Sequence, residues 1–210
     1  MKSTWELTEY QKEIDLYLRS AVRLYGHIPP KKFLQIFNRF HKDHKLYKAD
    51  LEKWSQKLNR QAKTYKVYTN AIINTTVPEE EIDLTIYFQQ GKPFFIPQSE
   101  EAFVKWASPY YYPETDQSKA LKSYLITVCK VPFLMTQALM IELTQSIMED
   151  QRMQCQADIL DKYNAMRLLS FKQAQDFVAL QTDFFNNTIH WANCGYTPYE
   201  MQKLQESQNN

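Results

Sequence analysis

Leu7, Tyr10, Ile14, Tyr17, Leu18, Ala21 and Leu24 recur at three- and four-residue spacing, which predicts an amphipathic helix over residues 5–24. Gly26 ends it, and Ile28-Pro29-Pro30 opens a second helix with proline in its first turn. Phe33, Leu34, Ile36 and Phe37 carry that helix to about Phe40. The polar stretch HKDHKLYK reads as a loop. A third helix over 49–61 turns Leu51, Trp54 and Leu58 inward. Residues 64–77 are rich in β-branched and aromatic side chains and break at Thr69-Asn70, which predicts two short strands joined by a turn.

Further along, EEEIDLTIYFQQ predicts a short helix and Gly91-Lys92-Pro93 a turn. FFIP reads as extended, and Ser99-Glu100-Glu101 as a capped helix start. Tyr110-Tyr111-Tyr112-Pro113 marks a domain boundary. From Asp116 onward every segment reads as helix. One runs to about Lys130. A second opens at Pro132 with Phe133, Leu134, Ala138, Ile141, Leu143 and Ile147 apolar. A third covers 151–168, and a fourth opens on the capping box Ser170-x-x-Gln173 and ends near Asn186. A helical turn over 189–192 and a last helix from Thr197-Pro198-Tyr199-Glu200 complete the chain.

Helix, helix, turn, helix, hairpin is the order of a winged helix-turn-helix. The expected fold is therefore mainly α. A winged-helix-like basic domain over 1–90 carries a small β hairpin. A connector spans 91–112, a helical bundle 113–206, and a frayed tail 207–210.

Composition narrows the function. The chain of 210 residues holds three glycines, Gly26, Gly91 and Gly195, each more than sixty positions from the next. Phosphate-cradling loops need clustered glycines, so a P-loop, a G-x-G-x-x-G turn and a kinase glycine loop are excluded. Each glycine stands near a proline (Pro29, Pro93, Pro198) and reads as a joint between helices. No apolar run approaches the roughly 18 residues of a membrane span. The amphipathic start MKSTWELTEYQKEID reads as helix rather than a secretory signal. Cys129, Cys155 and Cys194 form an odd set with no close pair, which fits reduced thiols and a cytoplasmic location.

The net charge of +1 hides an asymmetry: residues 1–70 hold 15 Lys+Arg against 7 Asp+Glu, while 71–210 hold 10 against 17. Residues 31–66 alone hold eleven basic residues and three acids, which suggests contact with nucleic acid. On the third helix Lys53, Lys57 and Arg60 recur at helical spacing opposite the apolar stripe. Gln56 and Asn59 flank them with groups able to read base edges. Lys48 stands at the helix start, and Lys63 and Lys66 would reach phosphates from the wing. A lysine-rich solubilising face is the plain alternative, and the preference for lysine over arginine weakens base-specific readout.

Other constellations are weaker. His41-x-x-His44 could share a metal on a helix, but Lys42, Lys45 and Lys48 repel a cation there. His190 and Cys194 have the spacing of a thiol–imidazole pair without a marked orienting group. Glu79, Glu80, Glu81 and Asp83 read as one solvated face. Glu142, Glu149, Asp150, Asp158 and Asp161 lack the Glu-x-x-His signature of di-iron bundles. No metal, cofactor or catalytic residue is expected.

The segment N-N-T-x-x-x-W-x-N-x-G-Y-T-P-x-E (Asn186 to Glu200) resembles a recurring segment of uncharacterised bacterial proteins, mostly from low-GC Gram-positive lineages. Leu24-Tyr25-Gly26-His27-Ile28 with Phe33-x-x-Ile36-Phe37-Asn38 is similar to the same family. So is Gly91-Lys92-Pro93-Phe94-Phe95-Ile96-Pro97-x-Ser99-x-Glu101. In that family the tail often precedes an SEC-C zinc motif. The three cysteines here do not form its clustered ligand set, so no zinc role carries over. The segment also has a reading of its own: a helix–turn–helix corner in which Trp191 anchors, Asn187 and Asn193 bond backbone groups, Gly195 turns the chain, and Thr197, Pro198 and Glu200 start the next helix.

The expected function is a non-enzymatic binding or regulatory protein. Its basic front would contact nucleic acid, and its helical back would mediate contact with a protein partner or a second copy. A protein–protein module without nucleic-acid binding is the alternative. An enzyme has the least support.

Overall fold

A computed structural model describes residues 6–150, 153–167 and 169–208. The described chain is mainly helical with one small antiparallel sheet. It divides into two compact units between Tyr111 and Tyr112.

The first unit runs α1 (Glu9–Tyr25), β1 (His27–Ile28), α2 (Pro30–Phe40), α3 (Lys48–Gln61), β2 (Tyr65–Val67), β3 (Ile72–Asn74), α4 (Ile82–Gln89) and α5 (Glu100–Val104). α1 starts later than the apolar rhythm suggests, and Trp5 lies outside the described residues. Thr8 is the cap: its hydroxyl accepts from the Gln11 N–H and its own N–H donates to the Gln11 side chain. Gly26 ends α1 at φ 68°, where a side chain would be strained. Pro30 opens α2, a position where its missing N–H removes nothing from the helix.

The sheet is three-stranded, not a hairpin alone. β3 lies between β1 and β2, with His27 opposite Ile73 and Lys66 opposite Ile73 on the other side. A two-residue strand carries no alternation, so β1 left no periodic signal. Tyr17, Leu18, Tyr25, Phe33, Phe37, Leu58 and Ile72 fill the core of this unit.

Residues 91–111 are not a connector. Phe103 and Trp106 are buried in the first unit, Tyr25 donates its hydroxyl to the Phe95 carbonyl (2.6 Å) and Arg23 its guanidinium to the Tyr111 carbonyl (3.1 Å). Phe103 and Trp106 tie this stretch to the core of the first unit.

The second unit runs α6 (Asp116–Thr127), α7 (Phe133–Met148), α8 (Met153–Lys162), α9 (Phe171–Asn186) and α10 (Pro198–Gln208). Leu121, Leu125, Leu139, Leu143, Ile147, Leu160, Phe177 and Phe184 belong to one apolar core. The Ser170/Gln173 capping box forms at the start of α9. α8 ends at Lys162, earlier than expected, and the chain turns through Asn164 at φ 52°. Of the expected third helix, residues 151, 152 and 168 lie outside the described residues. Ser207 and Gln208 belong to α10 rather than to a frayed tail, of which 209–210 are not described. Phe133 and Leu134, apolar by pattern, stand exposed at the start of α7.

Candidate nucleic-acid interface

Two asparagines fix the segment that carries the basic residues. Asn38, near the end of α2, donates its amide to the Leu46 carbonyl (2.9 Å) and accepts from the Leu46 N–H (2.7 Å). Asn59, near the end of α3, does the same to Val67, at 2.8 and 2.7 Å. Leu46 and Val67 are both buried, so each clamp satisfies the polar backbone of a residue that must be inside. The first clamp shapes the α2–α3 loop. The second orients α3 on β2. Asn59 therefore holds the scaffold rather than reaching for a base edge, contrary to its expected role.

α3 presents three faces. Leu51 and Leu58 are buried, and Trp54 is half-buried with its ring edge-on to Tyr10 at 5.9 Å. At 3.6 residues per turn Lys53, Gln56 and Arg60 fall opposite Leu51 and Leu58, and all three are exposed. Lys57 falls to the side: its ammonium donates to the Gln11 side-chain Oε1 on α1 at 3.0 Å. The expected row of Lys53, Lys57 and Arg60 is thus split, because Lys57 is drawn toward α1. Lys48 pairs with Glu52 one turn along, at 3.4 Å.

The β2–β3 turn is tight, with the Tyr68 N–H donating to the Ala71 carbonyl at 2.7 Å. An open groove lies between α3 and this turn, lined among others by Lys48, Gln56, Thr69 and Asn70. A second groove runs from Thr69 and Asn70 to α2, past Lys31 and Gln35. Lys63 and Lys66 are exposed beside the strands, Lys66 on the outward side of β2 between buried Tyr65 and Val67. The Tyr65 hydroxyl donates to Asp15 at 2.7 Å, and burial followed by that carboxylate pushes its pKa well above the usual tyrosine range.

The other sites read from the sequence resolve differently. His41 and His44 do not come together: the His44 side chain is exposed and its carbonyl accepts from the Tyr10 hydroxyl. The acidic residues Glu79–Glu81 and Asp83 lie exposed around the start of α4. Glu142 accepts from Lys162 (2.7 Å) and from the Tyr163 hydroxyl (2.8 Å), and the lysine bond holds its carboxyl below the usual range.

The Asn186–Glu200 corner is a packed joint. Trp191 is buried, and the Asn187 amide donates to the Asp183 carbonyl. Asn193 accepts the Tyr196 N–H on its carbonyl. Gly195 takes φ 84°, with Cys194 already left-handed at φ 53°. Thr197 and Glu200 form a reciprocal cap around Pro198. Asp150, which the sequence placed only among scattered carboxylates, is the partner of this corner: it accepts from His190 Nδ1 (2.5 Å) and from the Ala192 N–H (3.0 Å). The forty-residue gap between Asp150 and His190 left nothing to find by spacing.

Among the described residues no helix is long and apolar enough to cross a membrane. Comparison with protein-family models, with curated proteins and with solved structures yields no match for this chain.

Proposed function

We propose that the first unit is a winged-helix-like domain that binds duplex nucleic acid, with α3 as the recognition element and the β2–β3 turn as a short wing. The observation that carries this reading is the pairing of two features. The element order with β3 between β1 and β2 is that of a winged helix, and the outward face of α3 bears Lys53, Gln56 and Arg60. Gln56 suits an adenine edge, and Lys53 and Arg60 suit phosphate or guanine. Lys63 and Lys66 supply phosphate contacts from the wing side. The helical second unit serves protein contact. No catalytic role is assigned to any residue.

The test is binding of a mixed-sequence labelled duplex to the full chain across a salt series. Neutralising phosphates with Lys53, Arg60, Lys63 and Lys66 releases counterions, so log K should fall with log salt at a slope of about −3 to −4. A slope near zero, or no binding at low salt, rejects the reading.

The protein–protein alternative draws on a different observation. Leu84, Tyr87 and Phe88 of α4 are exposed although the helix is apolar, and Leu134 and Phe171 of the second unit are each 80% exposed. It expects a mass that rises with concentration in light scattering and no affinity for duplex.

A further inference from the structure

His41 closes α2, and its ring is wedged between Phe37, stacked at 4.2 Å, and Tyr17, edge-on at 4.9 Å. Its Nδ1 lies 3.1 Å from the Phe37 carbonyl. A carbonyl only accepts, so Nδ1 carries a proton, which leaves Nε2 as the nitrogen able to ligate a metal. That nitrogen faces two carboxylates: Glu13 of α1 at 2.8 Å and Glu100 of α5 at 3.8 Å. The three ligand atoms lie within 4.8 Å of one another.

The surroundings leave this cluster short of positive charge. The neighbouring Lys12 is paired with Glu9 and Lys105 with Glu101. Among the described residues neither Glu13 nor Glu100 meets a lysine or arginine. Tyr17, whose ring lies edge-on to His41, is fully buried beside the cluster.

We propose that Glu13, His41 and Glu100 bind one divalent transition-metal ion of the zinc type. One imidazole and two carboxylates suit such an ion better than calcium or magnesium, which favour oxygen ligands alone. A tetrahedral site with bonds of about 2.0–2.1 Å sets its ligand atoms roughly 3.3–3.4 Å apart. The observed 2.8 and 3.8 Å bracket that spacing. The Glu13 and Glu100 side chains are 40% and 49% exposed against 13% for His41, so the ion reaches the site from solvent and keeps room for water. The Phe37 carbonyl is the outer partner that orients the imidazole. Bound metal would fasten α1, the end of α2 and α5 together. The site stands independently of nucleic-acid binding.

The experiment is titration of the full chain with Zn²⁺ alone, followed through the imidazole nitrogen resonances of its histidines. One ion should bind per chain, with the largest shift at His41 Nε2. Glu13→Gln and Glu100→Gln should each weaken affinity by at least about tenfold, while Glu9→Gln leaves it unchanged. A His41 resonance that does not respond to Zn²⁺ overturns the proposal, as does equal affinity in the Glu13 and Glu100 variants. Both glutamates are partly exposed, so these variants keep the fold and the readout stays decisive.

Discussion

The two units are held together by different chemistry. In the second, α6 to α9 close on an aliphatic and aromatic core, with polar ties at helix caps, at Glu142 with Lys162 and Tyr163, from the Tyr124 hydroxyl to the Gln173 carbonyl, and at the corner where Asp150 bonds His190 and the Ala192 N–H. In the first, side-chain amides and hydroxyls bind backbone across elements more often, and twice as two-point clamps. Asn38 holds Leu46, Asn59 holds Val67, Gln89 donates to the Tyr25 carbonyl, and the Tyr25 hydroxyl donates to Phe95. Apolar packing is non-directional. A two-point amide clamp adds bonds that are directional and fix an orientation. The difference teaches where orientation matters: the clamped helix, α3, is the one whose outward face is proposed to meet a ligand.

Loss of core volume should have the largest effect, and it should be felt in the second unit. Phe177→Ala should lower stability by about 3–5 kcal/mol in denaturant unfolding, with amides of α6 and α9 losing hydrogen-exchange protection. Breaking a clamp in the first unit comes next. Asn59→Ala leaves the buried Val67 backbone short of two bonds and should lower stability by about 1–3 kcal/mol, with protection lost first at the end of α3 and in β2. If this variant instead leaves α3 and β2 as protected as before, orientation by the clamp is not what separates the units. Removing a cap should be milder. Ser170→Ala should cost about 1 kcal/mol by the same measurement.

The smallest effect is a pH dependence confined to the first unit. His27 is buried, and its Nδ1–H donates to the Gln89 side-chain Oε1 at 2.8 Å. Burial lowers its pKa, only partly offset by that bond. Below about pH 6.5 the unfolded chain takes up a proton that folded His27 resists. Stability is therefore full above that pH and declines as pH falls toward the lower folded value. Unfolding midpoints recorded from pH 7.5 downward should show the decline, and His27→Asn should flatten it.

Local signals carried most of the element list. The stripe Ile14–Tyr17–Leu18–Ala21 showed α1, Pro30 and Pro132 showed two helix starts, and the caps at Ser170 and Thr197 formed as their spacing implied. What stayed hidden depends on residues far apart in sequence. β1 is two residues long and exists only because β3 pairs with it. Asn38 and Asn59 look like any solvated asparagine until the backbone eight residues on folds back to them. Lys57 matched the exposed row by spacing, and only Gln11 on α1 draws it aside. The Glu13, His41 and Glu100 cluster gathers residues from three elements, while the nearby His41-x-x-His44 spacing pointed elsewhere.

The most direct test of the central claim exploits the split of the basic row on α3. Duplex affinity should be measured at several salt concentrations for the wild type, for Lys53→Ala with Arg60→Ala, and for Lys57→Ala. The account predicts that the double variant binds more weakly and flattens the salt slope by about 2, while Lys57→Ala keeps the wild-type slope. A double variant that binds as well as the wild type, or a Lys57→Ala variant that loses as much as the double, would contradict it.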